Sequence, residues 1–477
     1  MSPKRRADLE AAAQAALDAA DRNGETQWVG LQAEISHCDA LAAFAISESE
    51  DRFYWERPVD ERSIAAFGRA GVIEVEGRRR FAEASERTKQ LFARLHVAGQ
   101  AAPATAGPFF VGGFGFAHTA PREPHWRDFP AGRLILPEVA IAVSGGRTWC
   151  TLIRTVQSDE RLQSGIRARE IADALSADFD EVQRSLANRR LVDASSVEAV
   201  SPPDYRARAD RTHAEYRAQV EAALNEIAAG RFEKVVLARS ICVREAGDYD
   251  PCALLDALRR AHPTCAIFAA ARPGVVFLGA TPECLVRLVD GRVETASVAG
   301  SAPRGRSPEE DLELGRQLRE SKKEQTEHAF VVRALCDAIA PHCDGLEVRE
   351  SPRLMRLQDI QHLETPISGR LREPRSILEL VGAVHPTPAI AGAPREEAIA
   401  WLSANEKLDR GWYSAPIGFV DSDGGGEFYA ALRSAILRGS EARLFAGAGV
   451  VDGSDPEAEL RETRLKLRAM LAPLTEI

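Results

Sequence analysis

Short runs of alternating apolar and polar positions, broken by glycine and proline, dominate the chain. In the first half, RLILPEVAIAVS and TWCTLIRTV read as strands. Beyond residue 205 the signals become denser. AEYRAQVEAALNEIAAG has the apolar spacing of an amphipathic helix and stops at Gly230. EKVVLARSICV follows as a strand. GVVFLGATPECLVRLVDGRVETASV reads as strand, turn, strand, with Asp290-Gly291 as the hairpin signal. EQTEHAFVVRALCDAIAP is a helix, GFVDSDGGGEFYAALRSAIL a second hairpin around a Gly-rich turn, and ARLFAGAGVV a further strand. The chain closes in DPEAELRETRLKLRAMLAPL, a helix with Asp455 as N-cap and Pro456 at its first position. Hairpins joined by short turns imply antiparallel sheets, and the helices then cover their outer faces. The predicted fold class is α+β.

The segment Ser195 to His213 contains Pro202-Pro203 and no strong periodicity, which makes it the expected boundary. It separates an N-terminal half, residues 1–200, from a region spanning 205–477. The apolar run from Pro108 to Phe116, PFFVGGFGF, lacks the strand–helix context of a dinucleotide site and reads as close backbone packing within a sheet. The N-terminus is polar and Ala-rich, with no apolar leader core. No stretch approaches the roughly 20 apolar residues that span a bilayer. A cytoplasmic protein without membrane contact is expected.

Composition narrows the partners. The 477 residues carry a net charge of −10, which argues against a nucleic-acid groove or an anionic membrane, since both require a basic surface. A few placed cations can still bind a small dianion. The eight cysteines form no C-x-x-C pair and no zinc spacing, so they read as small buried side chains in a reducing compartment. Among 61 basic residues the lysines are only Lys4, Lys89, Lys234, Lys322, Lys323, Lys407 and Lys466. Lysine, unlike arginine, can be brought to lose its proton.

Four constellations could carry chemistry. Glu324 with Glu327, and Glu459 with Glu462, each lie three apart on a predicted helix and so share one face. Two such faces together suit Mg²⁺, which takes few carboxylates; either alone suits an ordinary solvated helix. Lys234 shares a strand face with Val236 and Ala238, as a desolvated general base or as an edge-strand lysine with its head in water. Thr281-Pro282-Glu283 presents Glu283 at a strand end, either as an acid of raised pKa or as an exposed turn residue. Ala446-Gly447-Ala448-Gly449 opens backbone N–H groups to an anion, and Arg433, expected on a strand, could clamp a carboxylate. His362 and His385 are expected in Pro- or Gly-punctuated turns.

In this order, the stretches KVVLAR, GATPE, VAGSAPRG, KEQTEH, IQHLETPISGRL, VHPTPAIAG, DRGWYSAPIG, ALRSA, LFAGAGVV and ELRETRLKL resemble the chorismate-utilising enzymes. They cover most of residues 205–475, and their joint occurrence is highly specific. The resemblance implies two packed antiparallel sheets flanked by helices, Mg²⁺ as cofactor and chorismate as substrate. It likens Glu327 and Glu462 to direct or water-mediated metal ligands, with Glu324 and Glu459 supporting them. Tyr413, Arg433 and the Gly447–Gly449 backbone resemble the cradle for the enolpyruvyl carboxylate. Gly300, Ser301, His362, Ala389 and Lys466 also fall at substrate-binding positions. Lys234 resembles the base that activates water for attack at ring C2, and Glu283 the acid that protonates the departing C4 hydroxyl.

Within the family, the ammonia-using anthranilate synthases typically have a non-basic residue in place of Lys234, and this chain has no G-x-C-x-G glutaminase motif. Common aminodeoxychorismate synthases carry a lysine beside a Gly-Thr pair, where this chain has Val298-Ala299-Gly300-Ser301. Water is therefore the expected nucleophile and isochorismate the expected product, feeding menaquinone, siderophore or salicylate synthesis. Salicylate synthase is the alternative, and a non-catalytic chorismate-binding protein is less favoured. No obligatory glutaminase partner is implied; a monomer or weak homodimer is. Two departures stand out: Ser301 where Thr is commoner, and Ser414-Ala415 in place of Ala-Gly, which brings a methyl group near the ligand.

Overall fold

Asp290 and Gly291 turn the chain through φ values of 49° and 72°, closing Cys284–Val289 onto Arg292–Pro303 as the sequence predicts. Consecutive positive φ values match the twist of paired strands. The computed structural model of the protein describes residues 3–158, 164–188 and 205–475. The expected boundary, Ser195 to His213, lies outside the described residues as far as position 204.

Among the described residues, strands assemble into one sheet of thirteen and one of ten. The larger brings Lys234–Arg244, Glu441–Val451, Ser434–Arg438, Val275–Thr281 and Ala266–Arg272 side by side and continues into Arg52–Arg57 of the N-terminal half. The smaller joins Ile360–Leu371, Arg292–Pro303, Cys284–Val289, Gly426–Ala430 and Pro416–Asp421 to Phe109–Phe114. Strands of both halves thus pair with each other in both sheets. Only Gln27–Ile35 with Leu95–Gly99 is parallel among the described pairings. The run RLILPEVAIAVS divides at Pro137, with Gly132–Leu136 in the smaller sheet and Val139–Ser144 in the larger. Proline cannot donate to a ladder, so the chain changes sheets there.

An aromatic layer fills the space between the sheets. Trp55 of the larger sheet meets Phe419 of the smaller edge-on, with ring centroids 5.1 Å apart, and Phe109 lies 5.2 Å from Phe419. Helices Pro3–Asn23, Pro251–Ala261 and Pro456–Thr475 bury apolar faces against one side of the larger sheet; Arg80–Phe92, Lys322–Ile339 and Ile377–Val384 do so against the smaller. The two helices carrying the paired glutamates therefore belong to different sheets: Lys322–Ile339 packs on Arg292–Pro303, and Pro456–Thr475 on Glu441–Val451. No helix among the described residues is long and apolar enough to cross a membrane.

Three local expectations are corrected. GFVDSDGGGEFYAALRSAIL is not one hairpin: Pro416–Asp421 and Gly426–Ala430 pair in the smaller sheet, but Ser434–Arg438 belongs to the larger. Arg433 consequently lies in the crossover between sheets, at φ 46°, and not on a strand. Its carbonyl accepts from Ala280 N–H at 3.1 Å, and a Cβ at Gly279 would stand 2.6 Å from that oxygen, so the crossing needs glycine opposite it. His362 sits within strand Ile360–Leu371 and not in a turn, because pairing with Arg292–Pro303 continues past it.

Phe419→Ala is expected to destabilise the protein by about 3–5 kcal/mol, the cost of a large core cavity. A urea titration followed by tryptophan fluorescence tests this, and an unchanged midpoint would show that the aromatic layer does not hold the sheets together.

Candidate active site

A cavity partly open to solvent lies between the sheets. Glu283, Gly300, Ser301, Glu327, His362, Ala389, Tyr413, Arg433, Gly447, Gly449, Glu462 and Lys466 all line it. Lys234, Glu324 and Glu459 do not; each is bonded to a residue at or behind the wall.

Glu283 occupies the step between two strands of different sheets. Val275–Thr281 ends in the larger sheet, Pro282 stiffens the link, and Cys284–Val289 begins in the smaller. The Glu283 carbonyl accepts from Ala430 N–H at 3.0 Å and its N–H donates to Thr281 Oγ1 at 3.3 Å, so backbone bonds hold it in place. Its side chain is buried, not exposed in a turn. Burial lifts the carboxyl to about 7, against the opposing charges of Lys234 and Lys466 and a 3.4 Å hydrogen bond from Thr387 Oγ1. A carboxylic acid poised there can donate a proton near neutrality.

Lys234 opens an interior strand, flanked by Gly392–Ala393 and Glu441–Val451, and is fully buried. The edge-strand alternative does not hold. Its ammonium donates to Glu327 Oε1 at 2.8 Å. Burial pushes the Glu327 carboxyl up, but Lys234, Lys466 and Lys323 outweigh it and hold Glu327 below its usual range. Lys466 donates to the Gly447 carbonyl at 2.9 Å and pairs with Glu462 at 2.7 Å. Lys323 bridges the two glutamate helices, 3.0 Å from Glu459 and 3.7 Å from Glu324. Like charges remain concentrated: burial and then Glu462 raise Glu459 to about 7, and burial and then Glu327 raise Glu324.

Opposite the acids, Arg433 Nη2 donates to His362 Nε2 at 3.1 Å. Burial, then the Arg433 charge, hold His362 far below its usual range, so the ring is neutral. With Nε2 accepting, Nδ1 carries the proton and points to Ser301 Oγ at 3.0 Å and the Gly300 carbonyl at 3.3 Å. Gly300 sits at φ 78° in a bulge, and the bulge aims the next N–H, that of Ser301, at Glu324 Oε2 at 3.1 Å. Gly449 is required for another reason: a Cβ there would stand 2.7 Å from Glu327 Oε1 and 3.1 Å from Lys234 Cε. Tyr413 stacks on Phe445 at 5.2 Å.

A metal ion fits the wall carboxylates by donor chemistry. Among the described residues no three His, Cys, Asp or Glu side chains converge to hold one by themselves. Lysines are ion-paired with all four glutamates. Yet Glu327 and Glu462 at the wall are hard oxygen donors, and Mg²⁺ commonly takes only one or two carboxylates and keeps its waters. Glu324 and Glu459 are pushed up by burial first and by a neighbouring carboxylate second, and a divalent cation would relieve that second contribution.

Sequence reasoning missed Thr387, which meets Glu283, and the cavity-lining Arg410. Glu406 and Arg410 lie four apart, the same spacing as a common surface pair, so only burial sets them apart. His385 falls outside the cavity wall, at the C-terminal cap of helix Ile377–Val384.

Residues 12–475 match the family described as chorismate binding enzyme. The chain is 37% identical over 454 residues to the salicylate biosynthesis isochorismate synthase of Pseudomonas aeruginosa, covering 94% of this chain and 90% of that protein. To isochorismate synthase MenF of Bacillus subtilis it is 31% identical over 457 residues, covering 94% and 93%. Its fold is similar to that of MenF, the menaquinone-specific isochorismate synthase from Escherichia coli, with a TM-score of 0.75 at 24% identity over 97% of this chain and all of that one. With the family model matched over residues 12–475 and two relatives at 31–37% identity covered almost end to end, the chain belongs to the chorismate-binding enzyme family.

Proposed function

We propose that this protein is an isochorismate synthase, converting chorismate to isochorismate with Mg²⁺. The observation that carries this reading is one cavity with a buried carboxylic acid poised near 7, a buried lysine behind its wall, and cationic Arg433 and Lys466 lining it. Both full-length relatives bear the name isochorismate synthase, which supports the same product.

The chemistry is an exchange of hydroxyls. Water adds at ring C2, the ring double bonds shift, and the C4 hydroxyl leaves. Hydroxide is a poor leaving group, so Glu283 gives its proton to the C4 oxygen, which departs as water. The attacking water loses a proton to Lys234. An ammonium paired with a carboxylate is no base, so the amine acts only after its proton is gone and Glu327 has another partner. Arg433, its Nη2 steadied by neutral His362, and Tyr413 hold the enolpyruvyl carboxylate beside the Gly447–Gly449 backbone. Mg²⁺, held by Glu327 and Glu462 with Glu324 and Glu459 in support, would supply positive charge for the ring carboxylate. Closing the cycle, Lys234 returns and Glu283 regains one proton through solvent.

Purified protein incubated with chorismate and Mg²⁺ is expected to yield isochorismate, resolved by liquid chromatography, and none with EDTA. Salicylate with pyruvate would replace this reading by salicylate synthase; turnover undiminished by EDTA would remove the metal. Glu459→Gln is expected to raise the Mg²⁺ concentration for half-maximal rate by about 10–100-fold, as loss of a supporting partner does. Lys234→Ala and Glu283→Gln should each lower kcat by about 100-fold or more, the usual weight of general acid–base catalysis. Wild-type rates in either would reassign that role. Because Glu283, raised to about 7, must be protonated while Lys234 has given up its proton, the active enzyme holds one proton between the two, so kcat/KM should rise with pH to about 7 and then level off. A flat profile between pH 6 and about 8 would exclude it as the acid.

A further inference from the structure

Arg410 and Glu406 form an ion pair at 2.6 Å with side chains only 2% and 4% exposed. Taking two charges out of water is unfavourable unless their geometry and remaining hydrogen bonds are excellent. Here every guanidinium N–H is used. Nε donates to Glu406 Oε2 at 2.7 Å; Nη1 donates to the Ile390 carbonyl at 2.7 Å and Ser414 Oγ at 3.3 Å; Nη2 donates to the Val236 carbonyl at 2.7 Å and Glu406 Oε1 at 2.6 Å. The Ala238 N–H donates to Glu406 Oε1 at 2.8 Å, and the guanidinium lies 4.3 Å over the Phe116 ring.

One planar group thus ties together three segments of the cavity wall. Val236 belongs to the strand that begins with Lys234. Ile390 follows Ala389. Ser414, at φ 58°, follows Tyr413 in a turn whose backbone is also anchored by the Ser414 N–H donating to the Ala431 carbonyl at 3.0 Å. A non-glycine residue at positive φ is held there by its surroundings, and the Ser414 hydroxyl is held by Arg410.

We propose that Arg410 and Glu406 are a positioning pair, which clamps the Tyr413–Ser414 turn and the Ile390 loop onto the Lys234 strand and so preforms the cradle for the substrate's enolpyruvyl carboxylate. This rests on the chorismate reading of the cavity. Lysine keeps the charge of Arg410 but offers a compact ammonium with three donors in place of a planar fork with five. A cradle remote from the reacting carbons contributes binding that ground and transition states share, so its loss appears in KM and not in kcat.

The test uses the full-length chain and three variants. Arg410→Lys is expected to raise KM for chorismate by about tenfold or more with kcat little changed. Glu406→Gln, which keeps the shape and removes the charge, should show the same split more weakly. Arg62→Lys, at the partly buried Arg62–Glu427 pair away from the cavity, serves as a control that loses stability without a KM change. Independently of turnover, hydrogen exchange in unliganded Arg410→Lys should speed up across 387–391 and 410–415 while strand Phe109–Phe114 is unaffected. A folded Arg410→Lys with KM within about twofold of wild type, or unchanged exchange at those segments, overturns the proposal. Wild type unable to turn over chorismate would sink the functional reading alone, and the exchange measurement would still decide the clamp.

Discussion

Four glutamates on helices from two different sheets can gather at and behind one wall of the cavity because lysines stand among them. Without Lys323 between Glu324 and Glu459, Lys234 on Glu327 and Lys466 on Glu462, the approach of Lys322–Ile339 to Pro456–Thr475 would bring uncompensated negative charges together in a poorly solvated place. Even with them, burial first and then a neighbouring carboxylate push Glu324 and Glu459 upward. Two of these pairs, Lys234–Glu327 and Lys323–Glu459, also tie elements of the two sheets together, joining stability and chemistry in one charge network.

The cavity exists because the chain changes sheets beside it. Glu283 lies in one crossing and Arg433 in another, and the two are locked together by backbone bonds, Glu283 through Ala430 and Arg433 through Ala280. A crossing residue leaves the ladder, so its side chain is free of the alternation that sends strand neighbours into the core or to solvent. Acid and cation therefore face the same space from structurally unlike backbone, and glycines at 279, 300 and 449 provide the clearance.

Much of the fold was legible. The Asp290-Gly291 hairpin, the helix that ends before Gly230 and the Asp455-capped C-terminal helix follow from turn chemistry and capping, which act over a few residues. The glutamate pairs were placed on helices by spacing alone. What misled was continuity of pattern: ALRSAIL reads as the end of a hairpin, and nothing local announces that Leu432 and Arg433 carry the chain to the other sheet. His362, taken for a turn residue, is held in a strand by a partner some sixty positions away.

The sequence by itself determined which residue types were available, the α+β class, the helix faces and, through its ordered motifs, membership of the chorismate-binding enzymes. Only the tertiary structure decided which side of those faces met, that Lys234 is interior and ion-paired, that burial raises Glu283 toward neutrality, and that Glu406–Arg410 is a buried clamp and not a surface pair. The reason is physical: spacing and capping are local, while desolvation and charge pairing depend on what other parts of the chain bring near, and the same Glu-x-x-x-Arg reads alike in water and in a core.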